Sequence, residues 1–242
     1  KIAVLHSGDL ASDRLDDKDT VECCEDIEDA LQTLGHQPVR VRFHENLTEV
    51  ELALRAVAPD LVFNMVETSG GTDRLAYIAP ALLEHMGLAY TGCSAAMLAM
   101  MGSKINVRRM LLAMGIPVPL APDRPEVAGL GPWIVKSATE HASAGIHARN
   151  IVVTAAQALA RVAELSADGS AWVAEQFIDG PEYSVHLISD AQGGALEILG
   201  YSELVFTGRD DARARIFDYE SKWVEGSAQY NSVDHGYEVP QG

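Results

Sequence analysis

The sequence predicts an α/β chain whose first part is a parallel sheet and whose later parts are α+β. Three observations lead there. Over roughly the first ninety residues, short apolar runs alternate with amphipathic helical stretches, the rhythm of a parallel sheet with helical crossovers. Beyond Ile116-Pro117-Val118-Pro119, strand-like runs follow one another across short loops, a more antiparallel rhythm. Finally, 242 residues with 48% hydrophobic and 22% charged side chains suffice for more than one buried core.

The segment IAVLH (2–6) reads as a short buried strand. The helix after it is expected from about Thr20 to Leu34, because Cys24, Ile27, Leu31 and Leu34 recur at helical spacing and Gly35 supplies a stop. PVRVRF (38–43) alternates as a strand. Thr48 with Glu51 has the spacing of a capping box, opening a helix lined by Val50, Leu54 and Val57. DLVFNMV (60–66) reads as a strand covered on both faces. A helix around Pro80–Met86 and a fourth strand, LAYTG (88–92), complete a βαβαβαβ pattern.

Ser94 is placed to cap a short helix ending at Gly102, and Lys104–Met114 reads as another helix closed by Gly115. The Pro residues of 116–119 then force an extended connector. WIVKS (133–137) and NIVV (150–153) flank a loop of mostly small residues, SATEHASAGI (137–146). Thr154 with Gln157 opens a helix with Leu159, Val162 and Leu165 inward. AWVAEQFI (171–178), YSVHLIS (183–189) and LEILGYSEL (196–204) are strands, with turns at Asp179-Gly180-Pro181 and Gln192-Gly193-Gly194. Domain boundaries are expected near Gly92 and Asp179.

Charge and cysteine usage narrow the function. A net charge of -17 repels polyphosphate and anionic lipid surfaces, so neither nucleic acid nor a membrane is an expected partner. The acidic clusters Asp13–Asp19 and Glu22–Glu28 read as a solvated loop and helix face. Three cysteines, two of them adjacent, offer neither a disulfide framework nor CxxC spacing, which points to a reducing cytoplasm. No apolar run reaches the ~20 residues of a membrane span, and no signal-peptide pattern opens the chain. Val239–Gly242 reads as a stop inside a loop, so the last domain is expected to be cut short.

The familiar nucleotide and metal signatures GxxxxGK[ST], GxGxxG and HExxH are absent. What remains is a set of charged residues at element ends. Lys136 interrupts the apolar strand WIVKS, where an ammonium needs solvent or an anion; a snorkelling lysine on an edge strand is the alternative. Lys104 opens a helix and Lys222 lies in the aromatic FDYESKW (217–223), and each alone is compatible with a surface lysine. Glu175 and Glu182 bracket AEQFIDGPE (174–182), where strand-end backbone groups suit an adenine edge and a carboxylate suits a ribose diol. Two exposed acids in a strand–turn–strand are the plain alternative.

Taken together, these segments resemble the D-alanine–D-alanine ligase branch of the ATP-grasp superfamily. YTGCSAAMLAMMGSKINVRRMLLAMGIPVP (90–119) is similar to the family's YTG-S-…-DK…K-L…GIPTP stretch. WIVKSATEHASAGI (133–146) is similar to its VKP…GSSVGI strand and loop, AEQFIDGPEYSVHLI (174–188) to its EEFI-G-E-V hinge, and FDYESKW to YDYEAKY. The resemblance implies an N-terminal Rossmann-like domain (1–92) and a two-part ATP-grasp fold (93–178 and an incomplete 179–242). It also implies an ATP-dependent carboxylate–amine ligase that uses ATP and Mg2+. Lys104 and Lys136 would contact phosphates, and Glu175, Gln176, Phe177 and Ile178 would form the adenine hinge. Glu182 would take the ribose. Ser143 and Gly145 would lie in the loop closing over the phosphates, where small residues let backbone N–H groups approach. Lys222 would reach the transferred phosphate, and with Ser143 it is the catalytic candidate. Similar ligases are commonly dimers through the N-terminal domain, so a homodimer is among the implications.

Departures from the family pattern touch the substrate. The family's N-terminal GG-S-E-S segment is not visible in HSGDLASDRLDDKD (6–19), its LHG-GEDG loop becomes MVETSGGTDRL (65–75), and Phe217 and Trp223 stand where it favours tyrosines. Ser69, Gly70 and Gly71 follow the C-terminal end of a strand, the usual ligand position in open α/β sheets, and are the substrate-binding candidates; an ordinary glycine turn is the other reading. The family's metal-binding acids, Asn and oxyanion Arg lie after the segment matched by FDYESKW, so the metal ligands are expected past Gly242. An amino-acid or small-carboxylate substrate follows from the resemblance. A ligase for another amide and a non-catalytic ATP-binding module are the rival readings.

Overall fold

A computed structural model describes residues 1–12, 15–124, 127, 129–190, 194, 196–208 and 215–238. The chain forms two compact units, residues 1–118 with 138–142 and residues 119–137 with 143–242.

The first unit is built on β1 (Ile2–His6), β2 (Pro38–Arg42) and β3 (Leu61–Met65), a parallel sheet in the order β2-β1-β3. β1 is buried throughout because it is central and covered on both faces. Its alternation divides the cores: Ala3 and Leu5 pack with Val50 and Leu54 of α2 (Leu47–Val57) and Leu82 and Leu83 of α3 (Ile78–Met86). Ile2 and Val4 pack with Cys24 and Leu31 of α1 (Leu15–Thr33). A bidentate bond from Arg40 to Glu28, at 2.8 and 2.6 Å, ties α1 to β2. α4 (Ala95–Met101) and α5 (Lys104–Ala113) follow, capped by Ser94 and Ser103 hydroxyls that accept the N–H groups of Met97 and Asn106.

Several local expectations change. α1 begins at Leu15, five residues earlier than expected, since Asp16 and Asp17 favour the positive end of a helix. Leu34 is 72% exposed, because α1 stops at Thr33 and Gly35 turns the chain at φ 82°. The Thr48–Glu51 box does not form: Asn46 takes the N-cap position, and Glu51 pairs instead with Arg55 at 2.7 Å. LAYTG adds only a bridge from Tyr90 to Val62, not a fourth strand. The next N–H on the same edge of β3, that of Asn64, is accepted by the Thr91 hydroxyl at 3.0 Å rather than by a backbone carbonyl, which interrupts the ladder.

The second unit holds two antiparallel sheets. β4 (Trp133–Ser137) lies between β5 (Ile151–Val152) and β6 (Trp172–Gln176), with α6 (Ala155–Leu165) packed on them. Trp133, Val135, Ala158 and Ala174 form the core. The Thr154–Gln157 capping box is complete. Leu159 is 46% exposed, however, and the inward stripe of α6 is Ala155, Ala158, Val162 and Leu165. The other sheet has the order β7-β8-β9, from Glu182–Ser189, Leu196–Phe206 and Val233–Glu238. β9 pairs along β8 from Phe206↔Val233 to Tyr201↔Glu238, a strand with no clear sequence signal. FDYESKW contains a short helix, α7 (Tyr219–Trp223), whose Asp218 cap accepts the Ser221 N–H at 3.0 Å. Asp13, Gln192, Gly193 and Val239–Gly242 lie outside the described residues. Among the described residues, no helix is long and apolar enough to cross a membrane.

Candidate functional site

The predicted residues fall into two groups, one in each unit. In the second unit, alternation along β4 puts Trp133, Val135 and Ser137 in the buried layer and leaves Lys136 on the other face. Its ammonium is not a snorkelling group: it hydrogen-bonds the Glu175 carboxylate of the neighbouring β6, and the two side chains are 22% and 20% exposed. Glu182, at the start of β7, is also near this ammonium. More than a third of Glu182 is open to water, yet the chain crowding its carboxyl raises its pKa, while the Lys136 charge pulls it down. Lys136 and Glu175 thus pair across two strands, and Glu182 of a third lies within reach of the lysine's charge.

Two of the hinge segment's N–H groups are already bonded within the fold. The Gln176 N–H donates to Leu120 O at 2.8 Å and the Phe177 N–H to Pro132 O at 2.9 Å, so both are committed to the fold. Ile178, beyond the strand end, is 60% exposed.

The small-residue loop is strained. Ala142 and Ser143 have φ of 52° and 59°, unusual for non-glycine residues, and Gly145 has φ 71°. The Ser143 hydroxyl donates to Phe217 O at 2.6 Å, and the Tyr219 N–H donates to Ile146 O at 3.2 Å. These bonds tie the loop to the segment carrying Lys222, whose ammonium lies 4.7 Å from the centre of the Trp223 ring. Asn150, 1% exposed, donates its amide to Val135 O at 2.9 Å and Gly145 O at 3.0 Å, clamping the loop to the strand of Lys136. Nothing but its apolar setting in RNIVV marked Asn150 in the sequence.

Gly145 is the one loop residue for which a side chain has no room. A Cβ there would lie 2.8 Å from Trp172 Cη2 at a φ that costs an L-residue about 1–2 kcal/mol. Gly145→Ala is expected to lower stability by about that amount and to weaken nucleotide affinity several-fold, with Trp172→Leu restoring part of both. Urea unfolding and ADP titration of the three variants check this. Unchanged values in Gly145→Ala would contradict the tight approach of the loop to Trp172.

In the first unit, Ser69, Gly70 and Gly71 line a cleft of about 290 Å³ at the C-terminal ends of the parallel strands. Gly70 and Gly71, at φ 58° and 74°, form the turn of a Ser69–Thr72 bridge. Arg42 and Asp9, which also line the cleft, pair at 2.5 Å. The Ala11 N–H and then the Arg42 guanidinium hold the Asp9 carboxyl below its usual pKa. Ser7 Oγ accepts the N–H groups of Glu67 and Thr68 at 3.1 and 3.2 Å. The sequence offered no separate signal for Ser7, Asp9 or Arg42, which converge only through the strand register. Lys104 begins α5, and its ammonium donates to Glu140 O at 2.5 Å. Among the described residues, no group of three or more His, Cys, Asp or Glu side chains is placed to hold a metal ion, so none is assigned to Mg2+.

No protein-family model matches the chain. In sequence it is similar to curated D-alanine–D-alanine ligases. That of Moorella thermoacetica is 26% identical over 95% of this chain and 72% of its own length. That of Caulobacter sp. (strain K31) is 32% identical over 82% of this chain and 59% of its own. The chain spans less than two thirds of several such relatives. In fold it is similar to the D-alanine–D-alanine ligase of Bacillus anthracis solved with ATP, with a TM-score of 0.62 at 16% identity over 99% of this chain and 70% of that one. It is also similar to the biotin carboxylase domain of Hydrogenobacter thermophilus 2-oxoglutarate carboxylase solved with MgADP, with a TM-score of 0.58 at 15% identity over 86% and 51%.

Proposed function

We propose that this chain, which has the ATP-grasp fold and resembles the D-alanine–D-alanine ligases, is the nucleotide-binding part of an ATP-dependent carboxylate–amine ligase. The observation that carries this reading is the Lys136–Glu175 pair across two strands, with Glu182 of a third strand within reach of the lysine's charge; the resemblance assigns all three to one nucleotide. ATP, as its magnesium complex, supplies a γ-phosphoryl group to a substrate carboxylate oxygen with release of ADP; an amine then displaces inorganic phosphate to form the amide.

The chain's own residues act by position and charge. Lys104 and Lys136 neutralise phosphate oxygens. Lys136 already has a carboxylate partner, so a phosphate shares it with Glu175 rather than meeting an isolated charge. Glu182 accepts from the ribose hydroxyls. With the N–H groups of Gln176 and Phe177 committed, the adenine edge is read by the Glu175–Ile178 carbonyls and the Ile178 N–H. Gly145 lets the loop lie close to the phosphates. Ser143 couples that loop to Phe217, so closure brings Lys222 toward the transferred phosphoryl group. The cleft beside Ser69–Gly71 offers a guanidinium and a carboxylate together, which suits an amino acid bearing both charges.

Domain boundaries near residues 92 and 179 belong to the same reading, as do a homodimer and a cytoplasmic setting, the last supported by three free thiols at Cys23, Cys24 and Cys93. The test is release of ADP and phosphate by the full-length protein against panels of D- and L-amino acids. Stoichiometric release dependent on an amino acid is expected. ATP binding without turnover on any panel would sink the ligase reading and leave a binding module.

A further inference from the structure

The turn that lines the cleft of the first unit also holds Lys104 through a short chain of hydrogen bonds, all within that unit. The Ser69–Thr72 bridge, closed by two N–H···O bonds of 3.2 Å, presents Thr72 and Asp73 on its far side. Thr72 Oγ1 donates to Glu140 Oε1 at 2.9 Å. Asp73, 7% exposed, accepts the His141 N–H at 2.5 Å. The same stretch grips Lys104 twice: the Lys104 N–H donates to Ala138 O at 2.8 Å and its ammonium to Glu140 O at 2.5 Å. Burying a carboxylate is costly unless it is bonded, and the His141 N–H is one of the donors that meet that need for Asp73. Burial and the Lys104 charge together lower the pKa of His141, while Asp73 opposes them, consistent with a compact group of charges around the lysine.

We infer that Thr72 and Asp73 are positioning residues that set residues 138–141 and, through the Glu140 carbonyl, the ammonium of Lys104. The inference rests on the reading of Lys104 as a phosphate contact. It makes one element, the 69–73 turn, common to the cleft at Ser69–Gly71 and to the lysine read as a phosphate contact.

The test is a double-mutant cycle on MgADP affinity, measured by calorimetry on the intact protein. Asp73→Ala is expected to weaken MgADP about tenfold, as loss of a charged hydrogen bond implies. Asp73→Asn, which keeps an acceptor oxygen, is expected to restore most of that. In a Lys104→Ala background Asp73→Ala should add nothing, because its effect passes through the lysine. Where Asp73→Ala does not fold, Thr72→Val, which removes the donor to Glu140 and the acceptor of the Arg74 N–H, replaces it, with a several-fold loss that also vanishes without Lys104. A tenfold loss that persists in the Lys104→Ala background, or no loss at all, overturns the inference. If Lys104→Ala itself binds MgADP as tightly as wild type, the phosphate reading of Lys104 fails instead.

Discussion

Lys136→Ala is expected to weaken MgADP binding about 100-fold, near 2.7 kcal/mol, within the range of hydrogen bonds to charged groups. Two effects add. The phosphate loses a cation, and Glu175 loses the partner that balances a carboxylate only 20% exposed. The second effect is discounted because water still reaches both groups, and it is expected to lower stability by about 1 kcal/mol. A Glu175→Gln background separates the two. If Lys136 serves only to neutralise Glu175, removing that charge makes Lys136→Ala harmless; if it contacts phosphate, most of the affinity loss persists. Titration of MgADP into the four proteins decides it, and unaltered affinity in Lys136→Ala would refute the phosphate assignment.

Trp133→Ala is expected to have the largest effect on stability, about 3–5 kcal/mol by chemical denaturation of the second unit. The ring is fully buried among Val127, Val135, Ala158 and Ala174, and its Nε1 donates to Leu130 O at 3.0 Å. Deleting it opens a cavity and strands the Leu130 carbonyl, against a total stability that is rarely more than about 5–15 kcal/mol for a domain. The loss reaches function as well, since β4 carries Lys136 and its register sets Lys136 opposite Val173, beside Glu175. Trp133→Phe, which keeps most of the volume, is expected to cost less than half as much and to retain MgADP binding. A Trp133→Ala loss below about 1 kcal/mol would contradict the placement of this ring in the core.

The features legible in the sequence are those whose partners lie within a few residues. Ser94 caps its helix, Thr154 and Gln157 complete a box, and Gly35 and Gly115 take positive φ. The same local logic failed at Thr48, where Glu51 had a second neighbour, Arg55, four residues on in the same helix. It failed at LAYTG too, where the composition suits a strand but the Thr91 side chain takes the place of a backbone acceptor.

Of this protein, the sequence by itself determined the apolar run that makes β1 a buried strand, the helix caps at Ser94 and Thr154, and the conflict of a lysine inside WIVKS. Each follows from periodicity or from bonds closed inside one turn. Only the tertiary structure decided what answers that lysine, because Glu175 lies 39 positions away and meets it through the β4–β6 register. In the same way it decided that β9 pairs with β8, that Asn150 clamps Gly145 to Val135, and that Asp73 holds the His141 N–H across 68 positions. Bonds over such separations depend on how whole strands and loops are brought together, and no local pattern of residue types encodes that.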